Sequence, residues 1–430
     1  MGFKRKVLFY GLKNALIPRF RSRADLEAYQ QRKLQAFAQT VLRHSPFYAR
    51  FFKGANLDWE AVPQITKTEF MAYFDEINTC QIRKEEAMAV ALGAEKSRNF
   101  KTELNGITIG LSTGTSGKRG IFLVSEDERA KWVALVMKRV IQPKLFQKQK
   151  VAFFLRANSN LYASVQSSLF EFRYFDLFKP LPELVAELAA YQPDILASQP
   201  SLLVDLAQAQ RENRLSIAPK QVISFAEVLH EADKRRIEAT FRVPITEVYQ
   251  CTEGFLGVTC PHGTMHLNED FIHFDQEWID ETHFFPIVTD FSRSSQPVVK
   301  YKLSDVLEVK KTPCACGDLR LAIERIVGRD DDVLILKGIR VYPDLVARRI
   351  AQTTDDFSQY RIVQTAENQL TLGIACDAAD FEDLKARFMT TLDALFASFG
   401  IEGVQYHVEN RVEQEAGTKM RKIKRVPYEP

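Results

Sequence analysis

Residues 221–254 read QVISFAEVLHEADKRRIEATFRVPITEVYQCTEG. QVISFAE (221–227) and ITEVYQ (245–250) are short runs rich in β-branched and aromatic residues, which suit strands. Between them, Asp233 to Phe241 reads as a helix. A strand, a helix and a strand within thirty residues predict a layered α/β domain. Working towards the N-terminus, DILASQP (194–200) and KVAFFLRA (150–157) read as further buried strands. The stretch from Leu181 to Gln210 is largely helical and is interrupted near Pro193. Residues 24–44 place Leu26, Tyr29, Leu34, Phe37 and Val41 at helical spacing. Towards the C-terminus the pattern changes from about residue 266. HLNEDFIHFD, HFFPIVTDF and QPVVKYKLSDVLEVKK read as short, mostly antiparallel strands.

A second change comes at GRDDDVLILKG (328–338). Beyond it a strand–helix–strand–helix pattern runs for about a hundred residues. It includes a hairpin turned at Glu367 and Asn368 and a long helix closed by Gly400. The fold class expected is therefore α/β. A large multi-layer N-terminal α/β domain (1–330) precedes a small α+β C-terminal domain (331–430), with the boundary near Asp331.

The composition is that of a globular chain. Of 430 residues, 46% are hydrophobic and 26% charged, which excludes intrinsic disorder. A net charge of +3 gives no reason to expect a nucleic-acid partner. No apolar run reaches the length of a membrane span. The opening MGFKRKVLFYGLKNALIPRF lacks the long apolar core and cleavage site of a signal peptide. It reads as an amphipathic helix packed on its own domain, with contact to a membrane surface as the alternative. Six cysteines in so long a chain make no disulfide scaffold, so a cytoplasmic location is the default.

The sharpest local signal is Gly110-Leu-Ser-Thr-Gly-Thr-Ser-Gly-Lys-Arg-Gly120, between a strand from Gly106 to Ile109 and another from Ile121 to Val124. Glycines let successive amides face a common centre, and such concavities bind anions. Ser112, Thr113, Thr115, Ser116 and Lys118 add donors suited to a polyphosphate. The spacing is not that of a Walker loop, because Ser112 and Arg119 stand where that motif needs glycine and a hydroxyl residue. Read as residues alone, a plain turn is the rival.

Ser112-Thr-Gly-Thr-Ser-Gly-Lys-Arg-Gly resembles the phosphate loop of the adenylate-forming superfamily, which includes acyl-CoA synthetases and peptide-synthetase adenylation domains. Four more segments match in order. Ser224-Phe-Ala-Glu227 resembles the segment bordering the adenine. Tyr249-Gln-Cys-Thr-Glu-Gly254 resembles the aromatic-x-x-Thr-Glu motif. Tyr301-Lys-Leu-Ser-Asp305 resembles a motif usually ending Thr-Gly-Asp, and Gly328-Arg-Asp-Asp-Asp332 resembles the hinge. The short length, Ala226-Glu227, Cys314-x-Cys316-Gly317 and Val341-Tyr342-Pro343 are similar to the phenylacetate–CoA ligase and CapK-type branch.

The resemblance implies ATP- and Mg²⁺-dependent activation of a carboxylic acid as acyl-AMP. The acyl group would pass to coenzyme A, to a carrier-protein thiol, to an amine or to a hydroxyl. Ser112, Thr113, Gly114, Thr115, Ser116, Gly117 and Lys118 would hold the β- and γ-phosphates. Thr252 would bind the α-phosphate and Glu253 would coordinate Mg²⁺. Ala226, Glu227 and Tyr249 would border the adenine, and Asp305 and Arg329 the ribose. Lys419 in the tail would stabilise the charge that develops at the α-phosphate, with Lys422 and Lys424 as alternatives. The small domain would be a mobile lid that rotates between half-reactions about a hinge at Asp331. Two departures stand out: Leu-Ser replaces Thr-Gly before Asp305, and Phe225 replaces a glycine.

Cys260, His266, Cys314 and Cys316 form a quartet of the donor types that suit tetrahedral Zn²⁺, with His262 between the first two. A closed site of this kind would be structural; the rival is a reduced cysteine pair beside unrelated histidines. The acid's pocket is expected around residues 130–175 and 225–260. Phe153, Phe154, Phe225 and Phe255 there point to an apolar or aromatic acid. Oligomerisation is compatible with these readings. Two other function classes remain: an adenylyltransferase acting on a phenol- or deazaflavin-type hydroxyl, and a non-catalytic nucleotide-binding homologue.

Overall fold

The computed structural model describes residues 2–17, 20–97, 103–111, 120–141, 148–155, 170–177, 179–351, 359–412 and 422–426. Two helices open the chain, α1 (Phe3–Ala15) and α2 (Arg23–Thr40). Ser22 caps α2 by accepting from the Asp25 N–H, and the helix buries Leu26, Leu34 and Phe37 along one face. An antiparallel hairpin follows, β1 (Ile107–Leu111) and β2 (Ile121–Ser125), in register from Ile107↔Ser125 to Leu111↔Ile121. Gly110 is dictated by packing, since a Cβ there would lie 2.0 Å from the Phe122 ring. Helix α3 (Glu126–Arg139) starts directly after β2 on a reciprocal cap between Ser125 and Glu128.

The alternating segments form β3 (Gln149–Leu155), β4 (Phe170–Asp176), α4 (Leu181–Tyr191), β5 (Ile195–Ser198), α5 (Pro200–Arg211), β6 (Gln221–Phe225), α6 (Glu231–Phe241) and β7 (Ile245–Gln250). The strands pair in parallel in the order β4-β3-β5-β6-β7. Helix α6 begins two residues before the expected Asp233. It ends where Arg242 turns left-handed at φ 57, so the chain can enter β7.

At β7 the sheet changes direction. Strand β8 (Phe255–Thr259) runs antiparallel to it. The antiparallel text then folds as β9 (Met265–Leu267), β10 (Ile272–Trp278), β11 (His283–Asp290), β12 (Val298–Lys302), β13 (Asp305–Val309) and β14 (Ala322–Arg329). The whole sheet has twelve strands among the described residues. Their order is β10-β11-β13-β14-β9-β8-β7-β6-β5-β3-β4, with β12 on β11.

Past a single 3₁₀ turn, Asp330–Asp332, a hairpin forms from β15 (Leu334–Leu336) and β16 (Ile339–Val341). Then come α7 (Pro343–Ala351), β17 (Gln359–Ala366), β18 (Gln369–Ala375), α8 (Phe381–Ala397), β19 (Gln405–Glu409) and β20 (Ile423–Arg425). The last four strands make a separate sheet, β19-β18-β17-β20. Ile350, Ile362, Leu372, Phe388 and Phe396 fill a core of their own beneath it. The β17–β18 hairpin turns at Glu367 and Asn368, and Gly400 closes the end of α8 at φ +73, as expected. The architecture is a large α/β domain followed by a small α+β domain. Gly328 sits near their join, where a Cβ would lie 2.9 Å from Pro343 Cγ.

Candidate active site

The C-terminal ends of β3, β5, β6 and β7 open into one cavity of roughly 1170 Å³. In an α/β sheet the strand ends are where loops converge and ligands bind. Leu155, Gln199, Ala226, Glu227, Cys251 and Thr252 lie at or just past those ends and line the cavity. Arg340, Tyr360 and Lys422 line it from the small domain.

One wall is polar. Thr252 Oγ1 donates to one Glu253 oxygen at 2.9 Å, and the Tyr301 hydroxyl donates to the other at 2.9 Å. Both carboxylate oxygens are thereby fixed in direction. Beside them the Tyr249 hydroxyl donates to Asp305 at 2.7 Å. Asp305 faces Arg329 across the β13–β14 ladder, 4.0 Å from its Nε, and that nitrogen also donates to Ser304 at 3.1 Å. Burial, and then the adjacent carboxylates, push the Tyr249 and Tyr301 hydroxyls far above their ordinary value. Both phenols stay protonated and act as donors. Burial also keeps the Cys251 thiol protonated.

This wall has a buttress that sequence reasoning missed. Arg293 donates to the Thr252 carbonyl at 3.2 Å, and its Nε lies 3.7 Å from buried Glu128. Glu128 also accepts from the Ser294 and Ser295 N–H groups at 2.6 and 3.0 Å. Burial alone would raise the Glu128 carboxyl; Arg293 and these hydrogen bonds outweigh it and hold it below its ordinary value. The Ser125-x-x-Glu128 capping pattern was the one visible sign of this residue.

The opposite end is apolar. Trp132, Leu135 and Val136 of α3 face Phe153, Phe172 and Phe225 of the sheet. Phe225 stacks on Phe153 at 4.9 Å between centroids and 10° between planes, and Phe172 stands 5.3 Å from Phe153. Phe225 therefore fills space that a glycine would leave open. Phe154, expected in the pocket, points to the other side of the sheet and packs on Phe175. Alternation along a strand makes that outcome necessary once Phe153 faces the cavity.

Of the expected residues, Ala226, Glu227, Tyr249, Thr252, Glu253, Asp305 and Arg329 all line this cavity. Ala226 takes the left-handed region at φ 71, at the end of β6. Ser112, Thr113, Gly114, Thr115, Ser116, Gly117, Lys118 and Lys419 lie outside the described residues. Gly110 and Leu111, at the end of β1, reach the cavity. Lys422 enters it from the tail. Its ammonium lies 2.8 Å from Asp233 and 5.5 Å from the Tyr360 ring centroid. Nearby, burial and then Glu227 push the Asp205 carboxyl up to about 6.

Away from the cavity, Cys260, His266, Cys314 and Cys316 come together with all ligand atoms within 4.8 Å of one another. Cys260 Sγ lies 3.7 Å from Cys314 Sγ, and Cys316 Sγ lies 3.4 Å from His266 Nε2. Tetrahedral thiolates about 2.3 Å from a Zn²⁺ ion sit about 3.8 Å apart, so the spacing fits. His266 Nδ1 lies 3.3 Å from the Arg320 carbonyl, which directs Nε2 at the cluster.

No protein-family model matches the chain. It is 24% identical over 424 residues to Protein CapK of Staphylococcus aureus, covering 94% of this chain and 90% of that protein. Phenylacetate-coenzyme A ligase of Thermus thermophilus matches at 24% over 198 residues, 42% of this chain and 44% of that ligase. Among solved structures, 2-hydroxyisobutyryl-CoA ligase in the postadenylation state with 2-HIB-AMP superposes with a TM-score of 0.70 at 17% identity. That match covers 95% of this chain and 90% of the ligase. The same ligase in the thioesterification state gives 0.53 at nearly equal coverage, 94% and 89%. The chain thus has the fold of the adenylate-forming ligases and resembles their CapK and phenylacetate–CoA ligase branch in sequence.

Proposed function

We infer that this adenylate-forming ligase of the phenylacetate–CoA ligase and CapK branch activates an apolar carboxylic acid with ATP and passes the acyl group to a thiol. The carrying observation is a single cavity with two chemically distinct ends. Thr252, Glu253, Asp305 and Arg329 form the end suited to a nucleotide. Trp132, Phe153, Phe172 and Phe225 form the end suited to an acid with a large apolar body.

In the first half-reaction a carboxylate oxygen attacks the α-phosphorus, and the bond to the pyrophosphate oxygen breaks. Both reactants are anions, so positioning and charge neutralisation do most of the work. Thr252 holds the α-phosphate, Asp305 and Arg329 hold the ribose hydroxyls, and Ala226, Glu227 and Tyr249 border the adenine. Ser112, Thr113, Gly114, Thr115, Ser116, Gly117 and Lys118 hold the β- and γ-phosphates. Glu253, with both oxygens directed by Thr252 and Tyr301, would hold Mg²⁺, which would supply neutralisation of polyphosphate charge. Lys419 is the tail cation at the α-phosphate, with Lys422, which lines the cavity, as the alternative.

Coenzyme A is the thiol favoured by the names of the phenylacetate and 2-hydroxyisobutyryl ligases. The domain boundary lies near Asp331, and the lid swings there between half-reactions. The higher TM-score to the postadenylation state supports a small domain placed as in that state of the ligase. Cys260, His266, Cys314 and Cys316 hold a structural Zn²⁺ that ties the 260–266 hairpin to the 314–316 loop. The test is pyrophosphate release over a panel of acids, with and without coenzyme A. Aromatic and long-chain acids should exceed acetate by at least about tenfold, each methylene in an apolar pocket being worth severalfold. Release with no acid, or AMP attached to a hydroxyl substrate without acyl-AMP, would reject the reading.

A further inference from the structure

Helix α1 carries cations and no acid. The first 23 residues carry seven cations (Lys4, Arg5, Lys6, Lys13, Arg19, Arg21 and Arg23) and no acid. The other 407 residues carry 51 cations against 55 acids, so the net positive charge of the chain comes from this stretch.

One side of α1 is occupied by α3. The Tyr10 hydroxyl donates to Asp127 at 2.7 Å, and the Lys6 ammonium lies 2.9 Å from Glu126. Lys138 donates to the Asn14 carbonyl at 2.5 Å, and the Arg129 guanidinium lies 5.8 Å from the Phe3 ring. Positions 3, 6, 10 and 14 are one helical face, and they fix how the helix is rotated. The face turned outwards carries Leu8, Leu12 and Leu16, which are 69%, 69% and 81% exposed, with Phe9 beside them at 43%. Positions 8, 12 and 16 form a single ridge, and exposed Lys4, Arg5 and Lys13 flank it. Apart from Leu16, which follows its last turn, the helix is anchored along its whole length, yet it buries no residue.

We propose that α1 is a docking surface for a membrane rich in anionic lipid, lying in the interface with the leucine ridge among the acyl chains. A narrow apolar ridge between cations is the pattern of a helix that lies on a bilayer rather than across it. No helix among the described residues is long and apolar enough to cross one. The cations complement anionic headgroups and lengthen the attraction beyond contact distance. A second copy of the chain is a poor occupant, since pairing two such helices would bring the four cations of one, Lys4, Arg5, Lys6 and Lys13, against the same four of the other. Helix α3 carries α1 on one side and lines the cavity with Trp132, Leu135 and Val136 on the other, so docking sets the apolar end of the cavity one helix away from lipid.

The test is flotation of the full chain with vesicles of equimolar phosphatidylglycerol and phosphatidylcholine, and with phosphatidylcholine alone. Binding to the anionic vesicles should exceed binding to the neutral ones by about tenfold or more, and high salt should weaken it. Leu8→Ser with Leu12→Ser should lower it by about tenfold or more, with melting temperature and pyrophosphate release unchanged, because neither leucine is buried. Lys4→Gln with Arg5→Gln should lower it as well. Equal binding to both vesicle types, or full binding by the double-serine variant, would overturn the proposal. So would a dimer in light scattering that the same variant dissociates, since a second copy would then cover the ridge.

Discussion

At the residue scale the polar wall makes the sharpest demands. Glu253→Gln should lower pyrophosphate release by at least about a hundredfold while leaving the melting temperature within a degree or two, since it removes only the charge proposed to hold Mg²⁺. Tyr301→Phe removes only the donor to one Glu253 oxygen. It should raise the Mg²⁺ concentration for half-maximal rate severalfold and change the rate at saturating Mg²⁺ less; an unchanged Mg²⁺ dependence would mean that Tyr301 is merely core. Asp205 yields a pH effect of defined sign. Its folded value of about 6 lies above the ordinary 3.8, so the unfolded chain releases this proton first. Stability from this group is therefore whole below about pH 4 and is lost as the pH rises through about 6. Asp205→Asn should melt higher than the parent at about pH 8 and alike at about pH 4; thermal scans at both pH values decide it. That Thr252, Glu253, Asp305 and Arg329 would share one cavity was legible because each sits inside a short ordered motif. Glu128 and Arg293 were not, because their partners lie 166 and 41 residues away in the chain and no local pattern marks such pairs.

At the scale of elements, four strands of the parallel half of the sheet, β3, β5, β6 and β7, were legible to within two residues, whereas β4 (Phe170–Asp176) was not read. Val222, Ile223, Ile245 and Val248 sit in runs too short and too β-branched for helices. Which face each strand shows was harder to read. Phe153 and Phe154 are alike as text, and only the pairing of β3 with β4 and β5 assigns one to the cavity and the other to the core. The Cys/His cluster joins two hairpin loops that neither strand pattern nor helix period could have brought together. Purified protein should contain about one Zn²⁺ per chain by elemental analysis. Chelation, or Cys314→Ser, should lower the melting temperature by several degrees more than it lowers the rate of the enzyme still folded. Metal-free protein of full stability would remove the site.

At the scale of the whole molecule, the two domains divide the chemistry. Lys422 reaches the cavity from the position just before β20 and rests against Asp233 of α6. Lys419→Ala should slow acyl-AMP formation by at least about tenfold and spare acyl transfer from preformed acyl-AMP, because a contact made chiefly in one transition state belongs to one step. Lys422→Ala is the matched control. If it shows the larger loss, Lys422 is the tail cation and not only a counter-ion for Asp233. Asp331→Pro, which restricts the backbone at the proposed hinge, should do the reverse and slow transfer. The two-domain plan was legible from the change in pattern after residue 328. The docking of Lys422 was not, since it depends on how one folded domain sits on the other. The cavity's two ends also differ in how they are built. Its polar end is made largely by strand ends and the turns after them, whose backbone course is tied to the sheet. Its apolar end is made by side chains alone, on α3, β3, β4 and β6. The two ends can therefore vary independently: point mutations at Trp132, Phe172 or Phe225 reshape the apolar end and leave the backbone that builds the polar end in place.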